Sequence, residues 1–135
     1  MVEESCGNNM IIVVPGSNAT LTAEEVESAE AMIKNAQLVS FGLEGNHEAV
    51  IAALKMAKKH GVTTLTNAAP ARADLDARIY EHTDILCVNE TEAQIIIGRH
   101  EAIESEGDIE AAMELLLRKC KTVVITLGKR HCVLR

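Results

Sequence analysis

Aromatic residues are nearly missing from this chain: it has no Trp, and Phe41 and Tyr80 stand alone among 135 residues. Its core must therefore be built from Ala, Val, Ile, Leu and Met. Positive charge is also scarce, 13 Lys and Arg against 20 Asp and Glu, for a net charge of −7. That balance opposes a nucleic-acid partner, because such binding depends on basic side chains neutralising phosphates. A single nucleotide needs only a local site and stays compatible. Long apolar runs are lacking too, so no segment approaches a membrane span. The N-terminus Met1-Val2-Glu3-Glu4-Ser5-Cys6 is acidic, and the apolar run after it stops at Pro15-Gly16, unlike a signal peptide. A cytoplasmic location, with the nucleus also open, is the expectation.

Paired metal-ligand spacings are absent as well. Cys6, Cys87, Cys120 and Cys132 form no CxxC, and His47, His60, His82, His100 and His131 form no HExxH. Buried thiols in a reducing compartment, and histidines in surface or capping roles, are expected rather than disulfides or zinc.

What is present reads as a soluble globular domain, with 47% apolar and 24% charged residues. Short β-branched runs alternate with helical periods, the pattern of βαβ units and a parallel sheet. Strands are expected at residues 11–14, 38–41, 62–66, 84–88 and 122–126, with a further one starting at Cys132. Thr22 and Glu25 have capping-box spacing, and Ala29, Met32, Ile33 and Ala36 continue as a helical stripe. Val50, Ala53, Leu54 and Ala57 stripe the next helix, closed by Lys58, Lys59 and His60 at its negative end and by Gly61 as a left-handed cap. A short helix is expected near residues 76–80, a brief one after Thr91, and another striped by Ile109, Ala112, Met113 and Leu116. Residues 99–107 read as an exposed loop.

Three polar groups fall where strands end, which is where open α/β sheets bind ligands. Glu44 follows the strand ending at Phe41; as an acceptor-only carboxylate it suits two sugar hydroxyls, although a solvated loop Glu has the same appearance. Asn89-Glu90-Thr91-Glu92 follows Ile85-Leu86-Cys87-Val88 and reads either as an Asn cap with acidic first-turn residues or as a phosphate and metal-water site. Thr126-Leu127-Gly128 is small enough for a nucleotide to approach the backbone, or is a plain strand-to-strand turn.

Together with Asn67-Ala68-Ala69-Pro70, these blocks occur in the order found in the PfkB carbohydrate kinases, and the chain from about Gly7 to Leu134 resembles the ribokinase branch of that family. The resemblance implies a three-layer α/β ribokinase-like fold with a largely parallel central sheet, incomplete here, with residues 1–135 as the central part of the kinase domain. It implies ATP-dependent phosphorylation of D-ribose at its 5-hydroxyl, with ATP and Mg2+ as cofactors and a sugar as the small-molecule partner. Glu44 would contact the sugar and Glu92 the metal. Asn89, Thr126, Leu127, Gly128, Lys129, Arg130 and His131 would line the nucleotide. His131 stands where the family has a second Gly, and Ala68 replaces a Pro of the Asn67 segment. Gly16 and Asn18 match a family loop and read as turn formers first and site neighbours second.

The Gly-Ala-Gly-Asp motif that supplies the family's catalytic base occurs nowhere in the sequence, nor do the paired glycines of its sugar-binding segment. The chain alone is accordingly expected to be inactive, and to self-associate through faces that a longer enzyme would cover. A non-catalytic nucleotide-binding or interaction module, and a different sugar or nucleoside kinase of the family, are the alternatives.

Overall fold

The computed structural model describes Val14 and residues 16–135. Except for Val14, the strand expected at residues 11–14 lies outside the described residues, as does Cys6.

Five strands, β1 Leu38–Phe41, β2 Thr63–Asn67, β3 Ile85–Asn89, β4 Thr122–Thr126 and β5 Cys132–Leu134, form one sheet in the order β1-β2-β3-β4-β5. The first four are parallel and β5 is antiparallel to β4. Helices α1 Ala23–Ser28, α2 Glu30–Lys34, α3 His47–Lys59, α4 Ala77–Glu81, α5 Glu90–Ile97 and α6 Glu106–Leu117 connect and flank the strands. From β1 to β4 the sheet is therefore a run of βαβ units stepping in one direction.

Such a run has a consequence for the layers. Right-handed crossovers that all step the same way put their helices on the same face of the sheet. Burial follows: Thr64, Thr66, Leu86, Val88, Val123 and Ile125 are buried against the helices. Their strand neighbours Leu65, Ile85, Cys87 and Val124 remain half-buried, and Leu38 and Leu134 are exposed. Among the described residues the sheet and one helical layer are built, and the third layer of the expected architecture is not. Burying Leu86, Val88, Val123 and Ile125 contributes about 1.5–3 kcal/mol each, so the helical face holds the domain together. The two buried threonines are satisfied: Thr66 and Thr83 share a hydroxyl bond of 2.7 Å, and the Thr64 hydroxyl lies 2.7 Å from the His82 carbonyl.

Local chemistry sets the helix ends. Thr22 and Glu25 form the expected capping box, with the Thr22 N–H donating to Glu25 at 2.8 Å. The stripe beyond it needs correction. The helix breaks at Ala29, α2 restarts at Glu30, and Met32 is 77% exposed while Val26 fills the small core beside Ala49 and Ala53. Packing on α3 selects Val26 and Ile33, and among the described residues no element covers Met32. Helix α3 ends as expected at Gly61, φ +69°, with the Val62 N–H reaching back to the Ala57 carbonyl at 2.9 Å. Residues 99–107 are not wholly an exposed loop: Ile103 is buried, and α6 already starts at Glu106, capped by Ser105.

Candidate active site

The parallel arrangement of β1 to β4 carries their carboxyl ends, and the segments that follow, to one edge of the sheet. Glu44, Asn67, Asn89, Glu92 and the turn after Thr126 all lie there. The loop from Phe41 to Asn46 is anchored by the buried Leu43 side chain, and the Leu43 N–H donates to the Ala69 carbonyl at 3.3 Å. Glu44, next in sequence, is exposed. Asn67 closes β2, and the Ala68 N–H donates to the Cys87 carbonyl at 3.0 Å, so the Asn67 loop is tied to both neighbouring strands. The Ala69-Pro70 bond is cis.

Asn89 and Glu92 form a capping box at the start of α5. The Glu92 N–H donates to Asn89 Oδ1 and the Asn89 N–H to Glu92 Oε2, both at 2.8 Å. The cap and the first-turn acid are thus one unit. It uses one carboxylate oxygen of Glu92; the other has no partner among the described residues. Beneath it, burial, then the Glu92 charge, raise the Cys87 thiol above its ordinary value. Cys120 is buried and Cys132 exposed, and all three are free thiols.

Residues 126–131 make the hairpin between β4 and β5. Thr126 lies opposite Asn89 in the register and opposite Cys132 on the other side. The Leu127 N–H donates to the His131 carbonyl at 2.9 Å and the Arg130 N–H to the Leu127 carbonyl at 3.1 Å. Gly128 has φ +58°, a conformation an L-residue resists, whereas His131 has no such requirement. The ring at position 131 is therefore accommodated without backbone strain. Lys129, Arg130 and His131 are exposed, and Arg130 reaches Glu90 at 3.3 Å, clasping the hairpin to the first turn of α5.

A cleft of about 510 Å³ opens beside Glu44 and includes Ser17, Asn18, Thr20, Gly42, Gly45 and Asn46 in its lining. The 3-10 turn Gly16–Thr20 forms part of its wall. Sequence reasoning placed Gly16 and Asn18 near the site without assigning the cleft. The signal was Gly45, whose missing side chain leaves room for the Asn18 backbone: a Cβ there would sit 2.9 Å from the Asn18 carbonyl oxygen.

The whole chain, residues 1–135, matches the pfkB family of carbohydrate kinases. The chain belongs to that family. It is 43% identical over 128 residues to a ribokinase of Mus musculus, covering 95% of this chain and 39% of that protein. A ribokinase structure from Giardia lamblia superposes with a TM-score of 0.83 at 30% identity, over 98% of this chain and 42% of that one. An Arabidopsis thaliana ribokinase solved with ribose and ATP gives 0.79 at 26%, over 96% and 42%. The chain spans about 40% of the length of these pfkB relatives. It carries part of the ribokinase fold, and its sheet edge is the part just described.

Among the described residues no group of three or more His, Cys, Asp or Glu gathers as a metal site. No helix there is long and apolar enough to cross a membrane.

Proposed function

We propose that this chain provides sugar-facing and nucleotide-facing parts of a ribokinase-type kinase, which transfers the terminal phosphoryl group of ATP to the 5-hydroxyl of D-ribose. The observation that carries this reading is the convergence of Glu44, Asn89, Glu92 and the 126–131 hairpin on one sheet edge, in a chain 43% identical to a ribokinase.

Glu44, on a loop held by Leu43, accepts hydrogen bonds from two sugar hydroxyls and fixes the ring. The Thr126 to His131 hairpin, exposed except for the buried Leu127, receives the nucleotide, with Gly128 leaving its backbone accessible and Lys129 supplying positive charge. Asn89 offers its amide N–H2 to a phosphate oxygen while its Oδ1 keeps the helix capped. The free oxygen of Glu92 suits a water of a bound Mg2+, a cation that takes few protein ligands and keeps several waters. When bound, that ion neutralises phosphate charge.

Transfer also needs a base for the 5-hydroxyl proton, and no acidic residue here stands in a Gly-Ala-Gly-Asp turn. Loss of that assistance slows the reaction about 10² to 10⁴-fold, and the missing anion hole slows it further. The chain made alone therefore binds without ribose-dependent ADP release. Calorimetry tests the assignment: the chain binds both D-ribose and Mg-ATP, Glu44→Gln weakens only ribose, and Glu92→Gln weakens only Mg-ATP. Equal binding of both ligands by all three proteins would remove Glu44 and Glu92 from the site.

A further inference from the structure

The cleft beside Glu44 contains more polar groups than Glu44 alone. Several are already committed within the fold: Asn46 Oδ1 accepts the Glu48 N–H at 3.0 Å to cap α3, and the Thr20 hydroxyl donates to the Ser17 carbonyl at 2.9 Å. Glu25 is held by the Thr22 backbone and hydroxyl. Asn18 differs: its side chain is exposed in the cleft and has no hydrogen bond to any of the described residues.

We propose that Asn18 is a second sugar-contacting side chain, which completes the Glu44 cleft as a site for a small neutral polyol. This rests on the reading of Glu44 as the sugar carboxylate. The donor and acceptor balance requires such a partner. An ionised Glu only accepts, whereas a sugar hydroxyl both donates and accepts; hydroxyls donating to Glu44 keep lone pairs that need a donor. The Asn18 amide supplies two N–H donors and no charge, so it fills that need without attracting an ionic ligand.

The backbone holds it in place. Gly45 directly follows Glu44, and its missing Cβ lets the Asn18 carbonyl come within 2.9 Å of the position a side chain would take. The turn bearing Asn18 therefore rests on the loop bearing Glu44, which sets the two backbones side by side. Gly16, φ +54°, makes the turn that delivers Asn18 to this contact.

The test is a titration of the isotope-labelled chain with D-ribose, followed through the Asn18 side-chain NH2 resonances and repeated with Asn18→Ala and Glu44→Gln. Asn18 is exposed, so its removal leaves the fold intact, as the amide spectrum will show. The expected result is a ribose-dependent shift of the Asn18 NH2 signals and about tenfold weaker ribose binding in Asn18→Ala, the size of one lost polar contact. If Glu44→Gln weakens ribose binding while Asn18→Ala does not and the NH2 signals stay put, Asn18 has no contact with the sugar and the Glu44 assignment survives. If ribose perturbs nothing in the unmodified chain, the Glu44 reading fails and takes this proposal with it.

Discussion

Asn89 and Glu92 hold one another through two reciprocal hydrogen bonds of 2.8 Å, so the residues that start α5 are the same ones assigned to phosphate and metal water. The cap fixes the carboxylate at the sheet edge, and a substitution there can alter the fold, the ligand site or both.

The two roles separate by choice of side chain. Gln at the third helical position still completes a capping box, so Glu92→Gln is expected to leave the thermal midpoint nearly unchanged while weakening Mg-ATP binding. Asn89→Ala removes the cap acceptor and costs about 1 kcal/mol of stability as well as affinity. Thermal melts beside calorimetry check both; a large loss of stability in Glu92→Gln would mean that its charge, rather than its cap, holds α5.

The sheet face that no element covers among the described residues makes a second prediction. Leu38, Leu65, Ile85, Cys87, Val124 and Leu134 lie on it, and the strand residues around them are Ser, Thr, Asn and Cys, with no charged side chain. Apolar surface of this extent drives association. Sedimentation velocity should show the chain growing in size with concentration, and Val124→Lys, at the middle of the face, should shift it toward monomer. Identical profiles for the two proteins would place the association elsewhere.

Acid sensitivity follows from three aspartates. Arg78, through its guanidinium and then its N–H, holds Asp76 down to about 2. The Ser105 hydroxyl and N–H, then Arg99, hold Asp108 well below the usual range. Burial opposes ionisation of Asp84, but Lys58 at 2.5 Å and the Thr64 N–H and hydroxyl overcome it and leave its pKa lowered. Each group titrates lower folded than unfolded, where Asp sits near 3.9. Their stabilisation is complete above that value and disappears as pH falls through the folded pKa values. Urea unfolding midpoints should therefore drop between about pH 4 and pH 2, and Arg78→Met should reduce part of that drop. A midpoint indifferent to pH over this range would deny these carboxylates their role.

The sequence shows the strand and helix alternation clearly because its β-branched runs and helical periods are bounded by turns and caps with their own chemistry, as at Thr22, Gly61 and Asn89. From parallel strands follows the common edge for Glu44, Asn67, Asn89 and Glu92. Two features were less legible for physical reasons. The stripe through Met32 has helical spacing, but spacing says nothing of which face finds a partner, and α3 covers Val26 and Ile33 instead. The bare sheet face depends on which way the crossovers step, and that is a property of strand order, which periodicity does not contain. The sequence marks Asn18 as a site neighbour but not as a wall of the Glu44 cleft, because the turn meets that loop only in three dimensions, across 26 residues of chain.

The central claim is that one sheet edge carries both ligand sites, and amide mapping tests it most directly. Titrating the labelled chain with D-ribose should move signals at residues 42–46 and the Gly16–Thr20 turn; Mg-ATP should move those at residues 89–92 and 126–131. Shifts confined to the opposite edge, around Lys58, Asp84 and Thr122, would contradict the account, as would no shift with either ligand.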